Sequence, residues 1–406
     1  MRVLHFAPRV CWPLDTGAKL RNYHLARMLA RQTRVTLLAF NHHDESLPST
    51  ENPYEQVIAV KRDVAYTVKK VLRGLWGKTP LPVLNYTTDS MKNALEGVLN
   101  EKDFDVVQVE GIHLMAYMPI IRSTRKRPLV ICDWHNIESE LMRQYSQHEP
   151  NLLRRAYAGK TARLMSELES RALREFDAHV VVSQRDAERL NKLNGKARVF
   201  VIENGVDSRY YADALIEKTA AARSDAAAKK RIVFVASMDY HANIEGALSF
   251  AREVWPSLRA RQPELVFTIV GRDPSREIRA LALTPGIEVT GTVDDVRPFY
   301  RNAVAAIVPL NVGGGSRLKI LEAMAAGVPV VSTTLGAEGL DVRHGENILI
   351  ADTNEQLVEA IVSVVDDQDR RNRLGTAGRA LISNHYEWTK LGGLLFELYQ
   401  KLMAIR

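Results

Sequence analysis

The stretch AAIVPLNVGGGSRLKILEAMAAGVPVVST, from Ala305 to Thr333, reads as a strand, a glycine-rich turn, a helix and a second strand. AAIVPL and VPVVST are apolar along almost their whole length, as strands of a parallel sheet are when both faces are covered. From Ser316 to Ala326 the pattern is helical, and Ser316 is a good N-cap for a helix starting at Arg317. A glycine-rich turn feeding a helix start is an anion site, because free backbone N–H groups and the helix dipole point at the same ligand. Arg317 and Lys319 add side-chain charge: a guanidinium grips phosphate through two N–H groups, and an ammonium acts as a point charge. Gly314, Gly315, Ser316, Arg317 and Lys319 are therefore the candidate holders of a phosphate or a diphosphate. Glu322, one turn further on, has two readings. It accepts hydrogen bonds from ribose hydroxyls, as acids do in dinucleotide sites, or it points to solvent and pairs with Lys319 at i,i+3.

The same alternation extends in both directions. Upstream, RVLHFAP, RVTLLAF, DVVQVE, PLVICDW, AHVVVS and RVFVIEN read as strands, with helical patterns over 18–31 and 152–175. A break comes at ADALIEKTAAARSDAAAKK, which is Ala-rich, charged and without strand character, and suits a linker. The alternation restarts with RIVFVAS, ELVFTIVG, GIEVTG, AAIVPL, VPVVST and NILIAD, with a helix expected over 244–261. WTKLGGLLFELYQKLMA closes the chain as one amphipathic helix. The expectation is an α/β chain of two Rossmann-like domains facing a central cleft. A first domain covers 1–210, a linker 211–230 and a second domain 231–385, and 386–406 is a final helix. Ligands of such sheets bind at the carboxyl ends of the strands.

The chain has 406 residues, 46% of them hydrophobic and 25% charged, an ordinary globular composition. Its formal charge of +7 fits anionic partners such as nucleotides or phospholipid, and also plain solubility. Two cysteines, Cys11 and Cys132, make neither a disulfide framework nor a metal cluster, and fit a reducing compartment. No apolar run reaches the roughly 20 residues of a spanning helix, so the chain is expected to be cytoplasmic, or peripheral on the inner membrane. The segment KRDVAYTVKKVLRGLWGK, from Lys61 to Lys78, does not fit the sheet. As a helix it is basic and amphipathic, like one that lies on an anionic membrane; the alternative is a solvated helix whose apolar face joins the core.

Two stretches of the first half place chemistry at strand ends. In PLDTGAK, Gly17 lets the backbone approach a ligand closely, with Asp15 and Lys19 flanking it. The alternative is a plain strand–turn–helix connection in which Asp15 or Thr16 is an N-cap. CDWHNIESE puts His135 at the carboxyl end of a strand, with Glu138 three residues on, and Glu110 ends another strand. Without a second His or Cys at ligand spacing, no metal site is expected.

Taken together these segments resemble the retaining glycosyltransferases of the GT-B fold, and among them family four. GGGSRLKILEAMAAGVPVVSTTLGAEGL resembles the family's donor-binding signature, IENGVD its strand-end motif at the domain boundary, IVGRDP its Val-Gly-x-x-Pro turn, and HYEWTKL its final segment. The resemblance spans nearly the whole chain, and it implies that 1–210 is the acceptor-side domain, 231–385 the donor domain and 386–406 a helix that crosses back to the first domain. It implies a nucleotide-diphosphate sugar donor held mainly by the second domain, with Glu322 on the ribose and Arg317 and Lys319 on the diphosphate. It implies His135 at the donor sugar, Gly17 facing the donor phosphates and acceptor, and Asp15, Lys19, Glu110 and Glu138 on the acceptor side.

The sequence departs from that pattern twice. Gly314 stands where many members carry a sugar-contacting glutamate, and ASMDYHANIEG lacks the usual Arg and Lys, so Arg272, His241 and Asn243 are the expected helpers. The implied reaction is metal-independent, needs no cofactor, and transfers sugar to a sugar or lipid-linked acceptor hydroxyl in polysaccharide or glycolipid assembly. The acceptor hydroxyl attacks from the leaving-group side, and the protein positions the partners and neutralises the diphosphate. Nucleic acid is not an expected partner, since no aromatic-basic motif appears. A nicotinamide oxidoreductase is disfavoured by the lack of G-x-G-x-x-G after either first strand. A non-catalytic nucleotide-sugar binder remains as the alternative.

Overall fold

A computed structural model describes residues 1–41, 52–62, 67–212, 230–312 and 317–405. It contains two parallel-sheet α/β units. Met1–Asn204 and Trp388–Arg406 form one; Gly205–Gly313 and Arg317–Glu387 form the other. Most of the expected linker, 213–229, lies outside the described residues.

The first sheet comprises β1 (Arg2–Ala7), β2 (Arg34–Asn41), β3 (Gln56–Lys61), β4 (Val106–Glu110), β5 (Leu129–Trp134), β6 (Ala178–Val181) and β7 (Val199–Val201), in the order β3-β2-β1-β4-β5-β6-β7. The second comprises β8 (Arg231–Val235), β9 (Val266–Val270), β10 (Ile287–Val289), β11 (Ala303–Val308), β12 (Val330–Ser332) and β13 (Leu349–Ile350), in the order β10-β9-β8-β11-β12-β13. In each sheet the order reverses beside the first strand, the switch point at which α/β sheets leave room for ligands. All pairings are parallel, and β1, β4 and β5 are buried along nearly every residue. That is why their runs are apolar rather than alternating. β3 was not expected; it is an edge strand, half-exposed along its length.

Among the helices that connect and cover the strands are α1 (Gly17–Leu29), α2 (Val68–Trp76), α3 (Leu152–Glu175), α4 (His241–Ser249), α5 (Leu318–Ala325) and α6 (Trp388–Ala404). α6 packs on α1 in the first unit. Gly392 makes that approach possible, since a Cβ there would stand 2.2 Å from Met28 Cβ. The ring of Trp388 stacks on His24 with a centroid separation of 5.2 Å. The single helix expected over 244–261 is instead α4, a π turn at Phe250–Val254, and a short helix at Trp255–Arg261. Pro256 explains the break: it has no N–H and its ring collides with the carbonyl four residues before it.

Candidate functional site

In the second unit Asn243, Arg272, Arg317 and Lys319 gather beyond the ends of β8, β9 and β11. α5 begins at Leu318, one residue later than expected, with Arg317 at the cap position (φ −92°, ψ 35°). Ser316, expected to cap it, lies outside the described residues, as do Gly314 and Gly315. Arg317 is only 5% exposed, and its guanidinium lies 3.8 Å from Glu338 Oε2. Lys319 Nζ donates to Asn243 Oδ1 at 2.5 Å and sits 5.3 Å from the ring centre of Phe234. Burial, and then the neighbouring Arg317, push the Lys319 ammonium down to about 7. Asn243 in turn donates to the Ser237 carbonyl at 2.8 Å, and Ser237 Oγ accepts from Arg272 Nε at 3.0 Å. Arg272 also lies 3.7 Å from Asp239. A polar chain thus runs from Lys319 through Asn243 and Ser237 to Arg272. His241 opens α4, its ring edge-on to Tyr240. Beyond Arg272, the loops after β9 and β10 line a cavity of about 380 Å³ through Asp273, Pro274, Arg279, Val289, Thr290 and Gly291.

Glu322 is half-buried rather than fully solvent-facing, and its charge acts on Lys319 as the second reading held. Its carboxylate takes hydrogen bonds from the hydroxyls of Tyr211 and Tyr300. Burial raises its pKa, while the two hydroxyls and the charge of Lys319 pull the other way. Neither tyrosine was expected. They come from two segments far apart in sequence, with no local pattern to announce them.

In the first unit Thr16, not Asp15, is the N-cap of α1: its hydroxyl accepts from Lys19 N at 3.4 Å. Gly17 is the first helical residue. Asp15 pairs with Lys19 Nζ at 3.2 Å, and that ammonium also donates to the Trp12 carbonyl at 3.4 Å.

Glu110 requires a correction. Rather than presenting itself to an acceptor it is 1% exposed, with both oxygens engaged. Oε1 lies 2.6 Å from His5 Nε2 and accepts from Gln108 Nε2 at 2.6 Å; Oε2 lies 2.8 Å from His135 Nε2. With its amide turned, Asn22 adds a donor to Oε2 at 3.0 Å. Burial alone would raise the Glu110 pKa, but the two histidines hold it well below the carboxylate range. Burial opposes charge on His135, yet the hydrogen bond and charge of Glu110 raise its pKa overall. Next to this pair, Asp133 accepts from Arg21 Nε and Nη2 at about 3.1 Å, both side chains fully buried. Glu138 lies 3.9 Å from His113 and is pushed up to about 7 by burial.

His5, Arg21 and Asp133 were missed by sequence reasoning, although a signal was present. The adjacent strands RVLHFA, VVQVE and LVICDW each carry polar residues inside an apolar run. Parallel register sets His5 opposite Gln108 and Glu110 opposite Asp133, so the interruptions meet.

Comparison with known proteins agrees with this architecture. Residues 16–210 match the family Glycosyltransferase Family 4, and residues 229–367 match Glycosyl transferases group 1. Glycogen synthase of Mycobacterium tuberculosis is 25% identical over 256 residues, covering 60% of this chain and 58% of that protein. The chain thus spans a little under three fifths of the length of that curated relative. Among solved structures, sucrose-phosphate synthase from Thermosynechococcus elongatus aligns over 100% of both chains with a TM-score of 0.72 at 16% identity. Anabaena HepE in complex with UDP and glucose aligns over 98% of this chain and 99% of that one, with a TM-score of 0.65 at 17% identity. With this fold, and with both halves of its sequence matched in tandem, the chain belongs to the GT-B glycosyltransferases and resembles family four among them.

Proposed function

We propose that the chain transfers a sugar, with retention, from a nucleoside-diphosphate donor to an acceptor hydroxyl in polysaccharide or glycolipid assembly. The observation that carries this reading is the start of α5. A guanidinium, an ammonium and a tyrosine-bound carboxylate stand within five residues of one another there. Two cations at a helix start suit a diphosphate, and a carboxylate one turn on suits a ribose diol. The cavity of about 380 Å³ lined by Asp273, Pro274 and Arg279 has the size of a small ligand pocket. Complexes of HepE with UDP and glucose, and the relationship to a glycogen synthase, support a UDP-type donor and a saccharide acceptor.

In the reaction, the bond from the acceptor oxygen to the sugar C1 forms on the face from which the diphosphate departs. The C1–O bond to the terminal phosphate breaks, and the acceptor proton passes to a phosphate oxygen. Arg317 and Lys319 offset the charge that builds on that phosphate, with Arg272 as a further cation. No cofactor or metal enters this scheme. His135 is assigned to a sugar hydroxyl, Gly17 to the donor phosphates where they face the acceptor, and Asp15, Lys19 and Glu138 to the acceptor side.

Among the described residues no helix is long and apolar enough to cross a membrane. α2 exposes Leu72, Leu75 and Trp76 among basic residues, which supports peripheral contact with an anionic membrane at the cytoplasmic face and a lipid-linked acceptor. A thermal-shift screen with UDP-, GDP-, ADP- and dTDP-sugars tests the donor, because a ligand of the folded state raises Tm. Stabilisation by one sugar nucleotide, and nucleoside diphosphate release once an acceptor sugar is added, are expected. Stabilisation without release would leave a binding protein, and no shift with any of them would end the reading.

A further inference from the structure

The hydroxyls of a donor sugar need hydrogen-bond acceptors, and Gly314 has no side chain to offer one. A carboxylate is nevertheless present beside the candidate diphosphate residues, on the turn after β12. That turn is held to the sheet at several points. Ser332 Oγ donates to the Val308 carbonyl at 3.2 Å, and Thr333 Oγ1 to the Leu310 carbonyl at 2.6 Å. Gly336 N donates back to Thr333 Oγ1 at 2.9 Å. Only glycine fits at 336, since a Cβ would stand 2.4 Å from Ser332 Oγ and 2.7 Å from the Val308 carbonyl oxygen. Gly339, at φ +84°, turns the chain away. Between these two glycines stands Glu338. The pinned turn sets its carboxylate against Arg317, with Oε2 3.8 Å from the guanidinium.

That separation is long for a charge-assisted hydrogen bond. Arg317 is almost closed to solvent at 5%, whereas the Glu338 side chain is 31% open. Glu338 thus touches Arg317 while its side chain stays partly open to solvent. In a sugar nucleotide the sugar is bonded directly to an oxygen of the terminal phosphate. A group in contact with the cation that takes the phosphate is thus a neighbour of the sugar.

We propose that Glu338 is a specificity-determining residue that accepts hydrogen bonds from hydroxyls of the donor sugar, the task for which position 314 offers no side chain. This rests on the reading of Arg317 as a diphosphate ligand. The competing role, holding Arg317 in place, makes a different prediction. A residue that reads the sugar matters to the sugar nucleotide but not to the bare diphosphate; a residue that only positions Arg317 matters equally to both.

The test is calorimetric titration of wild type and Glu338→Gln with two pairs of probes, UDP with UDP-glucose and GDP with GDP-mannose. In the pair that wild type binds, Glu338→Gln is expected to weaken the sugar nucleotide about 5–10-fold, as exchanging a charged acceptor for a neutral one of the same shape does. The nucleoside diphosphate should stay within about 2-fold of wild type, since its contacts are untouched. Glu338→Asp, which shortens the reach but keeps the charge, should fall between. Equal weakening of both members of the pair overturns the proposal in favour of Arg317 positioning, and no weakening of either overturns it outright. Wild type that binds neither pair, nor any ADP- or dTDP-sugar of the thermal-shift screen, removes the diphosphate site on which the proposal stands, a result distinct from both.

Discussion

Glu110 Oε2 lies 2.8 Å from His135 Nε2, inside a site where the carboxylate is closed to solvent. That contact fixes which ring nitrogen carries a proton toward Glu110 and favours the imidazolium, whose pKa is raised. Glu110→Gln keeps the shape and removes the charge. The raised pKa of His135 should then fall, which NMR titration of the ring would report. The linkage has a definite sign. Stability from a charged His135 is full below its unfolded pKa and is lost as pH rises through the folded value, so in the variant that loss moves to lower pH. The depressed Glu110 contributes above its ordinary pKa of 4.5 and is lost as pH falls through its folded value. Removing one partner of a buried charge pair costs about 3 kcal/mol or more, readable by urea denaturation near pH 6. An unshifted His135 titration would show that Glu110 does not set the state of the ring.

Lys319 leads to a proton-linkage prediction. In the free protein its pKa lies at about 7, down from 10.5, chiefly through burial. A bound diphosphate favours the ammonium, so binding should draw in a proton above neutrality. Calorimetry at pH 8 in two buffers of different ionisation enthalpy should show uptake of about one proton, and little at pH 6. Lys319→Met should abolish the uptake and weaken the diphosphate. The free protein should also gain stability as pH rises from about 7 towards 10.5, because there the unfolded chain holds a proton that the folded one lacks. Buffer-independent binding enthalpies at pH 8 would remove Lys319 from the diphosphate.

Glu322, with its two tyrosine donors, is preorganised to accept further hydrogen bonds. Glu322→Ala should weaken a nucleoside diphosphate by about 1–3 kcal/mol. The loss should vanish when the ribose hydroxyls are absent, so wild type and variant should bind a 2′,3′-dideoxynucleoside diphosphate alike. Tyr300→Phe, which removes one donor, should cost about 1 kcal/mol on the same ligand. Equal binding of the ordinary nucleotide by wild type and Glu322→Ala would leave the carboxylate a structural acceptor for the tyrosines.

The difference between what was legible and what was not comes from where each element sits. Buried parallel strands such as β1, β4 and β11 must be apolar on both faces, so their sequences announced them. β3, QVIAVK, lies at the sheet edge and is half-exposed, and its shorter apolar run carries no such signature. The α5 helix was readable from its glycines and periodicity, and Arg317, Lys319 and Glu322 from their place on it. Their partners were not. Asn243, Tyr211 and Tyr300 arrive through tertiary packing, and Glu338 through a turn whose course is set by Gly336 fitting against Ser332. His5 and Glu110 meet because β1 and β4 are neighbours in the sheet. Sequence order alone gives no sheet order.

α2 carries the last prediction. Trp76 is 78% exposed, and Leu72 and Leu75 are each at least 40% exposed, so the apolar face is not absorbed by the core. The C-terminal end of α2 is tied down by Lys160, whose Nζ donates to the Gly74 and Leu75 carbonyls. On α3, Leu153, Tyr157 and Lys160 lie on a helical i, i+4, i+7 stripe, and Leu153 is 83% exposed. Leu153 is an exposed apolar side chain about two turns before the tie, and Lys70, Arg73, Arg154 and Arg155 are close by in sequence. Apolar anchors among cations suit an anionic bilayer surface. The protein should sediment with phosphatidylglycerol vesicles at low ionic strength and not with phosphatidylcholine vesicles. It should be released near 1 M salt, where the screening length falls to about 3 Å. Trp76→Ser should weaken binding without lowering Tm, since an exposed indole contributes little to the fold. Failure to bind phosphatidylglycerol at low salt, or binding indifferent to Trp76, would return α2 to the role of a solvated helix.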